Sequence, residues 1–327
     1  MTTATHTELD GGDDRSIVPY QGDSLDAAES WARLSPDARK RRAMQACQDH
    51  DATVLVEIAL AWLTLHGRRG ARVSPYTRRN YGQGIADLIR AWKGENLLHP
   101  SRHAAALWLR QLEAAGLKPA TVTIRLAAAR TLYHALRDAS ATEDDPFKDV
   151  RAAADPIPRH EKRQPYPSED IARLVDAAAG DDQLLILLGA HAGLRIAEIL
   201  ALRWGDVDPA SDKLVVAQGK GGKRRTIPMG PTLAAALRAE QPPDRAAWVI
   251  PYRTATSARY RLQAIAARAG VEYRGLHSLR HSAGTRLVKE TGSLELAAGM
   301  LGHSSLDTTR VYAKWSDERL KTALGTW

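Results

Sequence analysis

Apolar positions recur at helical spacing along most of the chain. Residues 53–67, "TVLVEIALAWLTLHG", carry a broad apolar face and end at Gly67. In residues 74–94, "SPYTRRNYGQGIADLIRAWKG", the apolar side chains Ile85, Leu88, Ile89 and Trp92 fall on one face. Ser74–Pro75 is a helix start, and Gly94 is expected to stop it. "PSRHAAALWLRQLEAAG" and "KPATVTIRLAAARTLYHAL" repeat the logic, so residues 51–138 are expected to form a small four-helix domain. Before it, residues 1–50 read as an acidic flexible tail and a lead-in helix in "SPDARKRRAMQACQDHD". The proline-rich, mixed-charge stretch 139–167 is expected to be a linker.

From residue 168 to 327 a second domain is expected. Ser168 reads as a helix cap followed by first-turn acids Glu169 and Asp170. "DDQLLILLGAHAG" is apolar almost all round, which places that helix centrally. The period switches to two in "KLVVAQGKGGKRRTIPM", the clearest β-hairpin, and "AAWVIP" is a possible third strand. The remainder reads as helix, so the fold class is mainly α with a small β-hairpin or sheet.

Charge narrows the partners. The chain is +8 overall, whereas residues 1–30 hold seven acids and one base, so −6 of charge sits in the tail and +14 on the rest. A basic folded body favours a polyanion, nucleic acid first. One cysteine, Cys47, excludes an internal disulfide framework and a Cys-rich zinc site. The apolar runs "VLVEIALAWL" and "LLILLGAHAGL" are too short to span a bilayer, and the N-terminus lacks a signal-peptide pattern. The expectation is a cytoplasmic, nucleoid-associated protein without a membrane partner.

Four short motifs carry the chemistry. "HAGLRIAEILALRWGDVD" sets Arg195 after the Gly193 turn and Glu198 one turn later; "GKGGKRR" sets Lys220 and Lys223 in the hairpin turn. "GLHSLRHSAG" sets His277 and Arg280 three apart, and "LGHSSLDTTRVYAKW" places Tyr312 nine residues after His303. A phosphodiester transition state concentrates charge on non-bridging oxygens, which two guanidinium forks suit. A tyrosine oxygen attacks phosphorus only as the phenolate, and nearby cations favour that form. The competing reading of Arg195 is an ion pair with Glu198 or Asp206; that of His303 and Tyr312 alone is packing. His277 and His281 have a spacing able to hold zinc, but no H-E-x-x-H glutamate lies between them and Arg280 would repel a cation. "GKGGK" is not a P-loop.

In order, these motifs resemble the tyrosine recombinase (phage integrase) family, and its Xer-like members most, over residues 52–327. The pattern is G-L-R-x-x-E, a β-turn lysine, H-x-L-R-H, L-G-H, and a tyrosine nine residues on. Ala192 departs from the threonine frequent before G-L-R. The resemblance implies an N-terminal SAM-like core-binding domain and a C-terminal tyrosine-recombinase catalytic domain. It implies Arg195 and Arg280 on the phosphate, Lys220 as the acid for the leaving 5′-oxygen, His277 assisting, His303 on a phosphate oxygen, Tyr312 as nucleophile and Glu198 as a holder. It implies no metal, no cofactor, and double-stranded DNA as partner, with four protomers on two sites or a paralogue sharing the work. Arg78, Arg79, Lys118, Arg125, Lys223, Arg224 and Arg225 are the expected DNA-backbone contacts. The apolar stripe Leu320, Ala323, Leu324 and Trp327 is either a terminal helix on its own domain or, by the resemblance, a helix docked on a neighbour. A type IB topoisomerase-like relaxase and a non-catalytic DNA-binding protein of the same fold remain alternatives. Dimer resolution and mobile-element integration are both open.

Overall fold

The computed structural model describes residues 24–158, 164–217, 224–252 and 254–302. It consists of two units, Met1–Pro156 and Ile157–Trp327. Lys220, Lys223, His303, Tyr312 and the terminal stripe lie outside the described residues.

In the first unit the helices are α1 (Ser24–Arg33), α2 (Pro36–Gln48), α3 (Ala52–His66), α4 (Pro75–Ala91), α5 (Ala104–Ala114) and α6 (Pro119–Asp138). Local chemistry sets their starts. Ser35 accepts from the Ala38 N–H, Asp51 from those of Thr53 and Val54, and Ser74 from that of Thr77. Two of these caps precede a proline, which loses no helical bond there. Helix α3, the most apolar, is central and packs on α1, α4 and α6. Helix α4 ends at Ala91 rather than near Gly94, because Trp92 leaves the helix to enter the core.

Two expectations change here. The lead-in region is two helices, and Ala28, Trp31, Ala43, Ala46 and Cys47 belong to the same core as α3 to α6. The linker expected over 139–167 is narrower. Phe147 is fully buried, stacked on Trp92 at 5.6 Å and edge-on to Trp108 at 5.7 Å. Arg130 holds this segment by donating to the Phe147 and Val150 carbonyls, so the chain belongs to the first unit as far as Pro156.

The second unit is built on α8 (Gly180–Ala190), which packs against α7 (Ser168–Asp176), α9 (Ile196–Ala201), α10 (Pro231–Glu240), α11 (Ala255–Arg268) and α12 (Leu276–Thr291). Helix α13 (Leu294–Leu301) packs on α12. Ser168 is already helical and makes no capping bond; Pro167 occupies the cap position. The sheet has antiparallel order β1–β2–β3, with β1 (Val207–Asp208), β2 (Lys213–Val216) and β3 (Arg225–Pro228). Its third strand is β1 and not "AAWVIP", from which Trp248 makes only an isolated bridge to Arg203. Leu214 faces Ile227 and Val216 faces Arg225 across the hairpin. Among the described residues no helix is long and apolar enough to cross a membrane.

Candidate active site

Glu198 is the centre of a guanidinium cluster in the second unit. The Gly193 turn, in a left-handed conformation (φ 66°), delivers Arg195 to the cap position of α9. One turn on, Glu198 accepts from the Arg195 backbone N–H at 2.9 Å and from its Nη1 at 2.8 Å. The ion pair offered by the sequence as an ordinary role for Arg195 is therefore formed; Asp206 instead caps the Arg203 N–H. Arg195 keeps about a quarter of its side chain exposed, whereas the Glu198 side chain is 3% exposed.

Arg280 of α12 reaches the same place from below. It is 1% exposed, and its Nη1 and Nη2 donate at 2.6 Å to the Gly193 and Leu301 carbonyls. One side chain thus joins the turn before Arg195 to the end of α13. Its Nη1 stands 3.8 Å from Glu198 Oε2. A buried charge needs such a partner. His277, three residues earlier, is exposed at the start of α12, so the two residues differ in depth along one helix. Its ring meets that of His281 edge-on at 4.7 Å.

The third guanidinium was misassigned from sequence. Arg225 is turned inward: Nη1 and Nη2 grip both Glu198 oxygens at 3.0 and 2.8 Å, and Nε donates to the Met300 carbonyl at 3.1 Å. The strand period contained the signal. Arg225 and Ile227 share the inward face of β3, while Thr226 and Pro228 are exposed. Burial pushes the Glu198 carboxyl up, but bonds from Arg225 and Arg195 outweigh it and hold the group at about 2.

The other expected DNA contacts divide similarly. Arg79, Lys118 and Arg224 are exposed and Arg78 is partly so. Arg125 is not available: it pairs with Asp87 at 2.8 Å and donates to the Asn80 carbonyl, tying α6 to α4. It lies three residues from buried Val122 and four from buried Ala129, on the inward stripe of α6. Among the described tyrosines, Tyr133 and Tyr166 are pushed towards the protonated phenol by burial. Tyr252 is pushed the same way by burial and then by its bond to Asp182, and Tyr273 by burial. None of these four is primed as a nucleophile.

Both units have counterparts among known protein families. Residues 166–319 fit the model of the phage integrase family, and residues 65–140 that of the phage integrase N-terminal SAM-like domain. The chain is 32% identical over 284 residues to tyrosine recombinase XerC of Xanthomonas campestris pv. campestris (strain B100), covering 80% of this chain and 84% of that protein. The chain belongs to the tyrosine recombinases of the phage integrase family. Tyrosine recombinase XerD of Caulobacter vibrioides is 30% identical over 270 residues, covering 73% of this chain and 86% of the relative. The fold is that of a XerH site-specific recombinase solved with palindromic difH substrate in a post-cleavage complex, with TM-score 0.63, 18% identity, and 95% and 98% of the two chains covered. It is likewise that of a lambda integrase dimer bound to a COC′ core site, with TM-score 0.61, 18% identity, and 79% and 77% covered.

Proposed function

We infer that this chain is a site-specific DNA recombinase that cuts and rejoins strands through a covalent 3′-phosphotyrosine. The observation that carries the reading is the cluster of Arg195 and Arg280 around one buried carboxylate, within a chain that has the family's motifs in order. Arg195 engages one of its five donors in the described structure, leaving a fork for a non-bridging phosphate oxygen.

In the step we propose, the Tyr312 oxygen loses its proton and bonds to phosphorus, while the bond from phosphorus to the 5′-oxygen breaks. Lys220 gives that oxygen a proton, with His277 assisting, and His303 binds a phosphate oxygen. Arg195 and Arg280 stabilise charge on the non-bridging oxygens. The phosphotyrosine retains the energy of the broken diester. A 5′-hydroxyl from another strand then attacks it, restoring a diester and the tyrosine. The duplex is the partner, and Arg78, Arg79, Lys118, Lys223 and Arg224 are our proposed backbone contacts. We further propose four protomers on two DNA sites, either copies of this chain or shared with a paralogue, and a site of action on the nucleoid.

The test is incubation with fragmented, nicked host DNA, on which a cut strand loses a short piece and cannot be religated. An SDS-resistant protein–DNA adduct at one sequence, followed by exchange between two copies of it, is the expected result. Supercoil relaxation without exchange would favour the relaxase, and the absence of any adduct would overturn the reading.

A further inference from the structure

The motif pattern set out above contains no third arginine, yet Arg225 makes the most complete contact with the site's carboxylate. Its two terminal nitrogens take both Glu198 oxygens, and its side chain is 12% exposed. It comes from the first residue of β3, which begins two residues after Lys223 in the chain. Its Nε holds the Met300 carbonyl, at the end of α13. The contact is close: a Cβ on Gly302, whose φ is +62°, would lie 3.0 Å from Arg225 Cδ and 3.1 Å from its Nη1. One guanidinium therefore links β3 to Glu198, three residues past Arg195, and to the end of α13.

We propose that Arg225 is a positioning residue for strand cleavage, saturating Glu198 so that this carboxylate does not draw Arg195 and Arg280 away from the scissile phosphate. This rests on the recombinase reading above. The physical reason is competition. Glu198 can accept about four hydrogen bonds. Arg225 makes two of them, and the Arg195 N–H and Nη1 make two more. Without Arg225, two acceptor positions of a buried carboxylate are unfilled. The nearest described guanidiniums that could fill them are Arg195, already at 2.8 Å, and Arg280, at 3.8 Å. A carboxylate and a phosphate would then compete for the same donors, and a shift of about 1 Å in a catalytic group costs on the order of 100-fold in rate.

The role predicts a signature that mere structural support does not. The probe is the nicked duplex whose sequence the unmodified chain captures covalently, made once with an ordinary diester and once with a methylphosphonate at the scissile position. The methyl group replaces a non-bridging oxygen and removes the charge that the arginines must neutralise. Arg225→Met should slow adduct formation about 10- to 100-fold on the diester, with DNA affinity within threefold of the parent. On the methylphosphonate the defect should shrink to less than threefold. Placed on Glu198→Gln, where the competing charge is gone, Arg225→Met should add little further loss. Arg225→Lys, which offers one point contact instead of a fork, should fall between; if the methionine variant does not fold, the lysine variant carries the same two-substrate comparison. Equal defects on both substrates, additive losses with Glu198→Gln, or full activity on the diester would each overturn the proposal. Failure of the unmodified chain to form any adduct would instead refute the recombinase reading itself.

Discussion

Protonating Glu198 should cost the second unit a measurable share of its stability, and the magnitude follows from the site. The carboxyl sits at about 2 against an ordinary value of 4.5, because the Arg225 and Arg195 bonds outweigh the cost of burial. A difference of that size corresponds to about 3 kcal/mol. The group's folded value is depressed, so this stability is fully present above pH 4.5 and is lost as pH falls towards 2. Glu198→Gln imitates the protonated state at every pH. It should therefore be about 3 kcal/mol less stable than the parent at pH 7, and the difference should close as pH falls through the window from 4.5 to 2. Hydrogen exchange at the buried amides of α8 and α12, read in the full chain, isolates the second unit from the first. Taking the difference between the two proteins removes the contribution of the other carboxylates. Equal stability at pH 7, or a difference that does not change with pH, would refute the claim that three guanidiniums converge on an ionised Glu198.

Gly193→Ala places a side chain at φ +66° with its Cβ 2.6 Å from Leu301 Cδ2. Left-handed strain and overpacking together should cost about 2–4 kcal/mol in thermal or urea unfolding, and cleavage should fall because the Gly193 carbonyl anchors Arg280. Arg125→Ala should destabilise the first unit by about 1–3 kcal/mol while leaving the salt dependence of DNA binding unchanged, since it breaks the Asp87 pair and not a phosphate contact. Arg79→Ala should do the reverse, lowering the slope of log affinity against log salt by about one in an anisotropy titration. Lys220→Ala should be rescued by a 5′-bridging phosphorothiolate, whose sulfur leaves without a proton, whereas Lys223→Ala should show little defect on the ordinary substrate.

Most of the fold was legible because long amphipathic helices announce themselves. The spacing of Ile85, Leu88, Ile89 and Trp92 located α4, and Ser74–Pro75 located its first turn within a residue. The failures share one physical origin, that a local pattern does not reveal which distant surface is waiting. Phe147 follows a proline in a charged stretch and reads as linker, yet the aromatic pocket of Trp92, Trp108 and Tyr133 takes it. Short strands are equally opaque: Val207–Asp208 joins the sheet through pairing with β2, not through any period of its own. In the site, Arg195, Glu198 and Arg280, singled out from separate motifs, meet in one cluster, with Arg195 and Glu198 set by a turn and Arg280 by a helix. The sequence sets Arg225 and Arg125 among the DNA-backbone contacts because arginine is usually a surface charge; both lie on the inward repeat of their element, and the buried carboxylate of Glu198 and the half-buried one of Asp87 explain why they are tolerated there.

The central claim, that Tyr312 becomes joined to DNA, is tested most directly by mapping the covalent bond. The adduct formed on the captured nicked duplex is digested with protease and nuclease, and the nucleotide-bearing peptide is sequenced by mass spectrometry. The account predicts a 3′-phosphonucleotide on Tyr312, the disappearance of the adduct in Tyr312→Phe, and DNA affinity nearly unaltered in that variant. A modified peptide lacking Tyr312, or an adduct that persists in Tyr312→Phe, would contradict it.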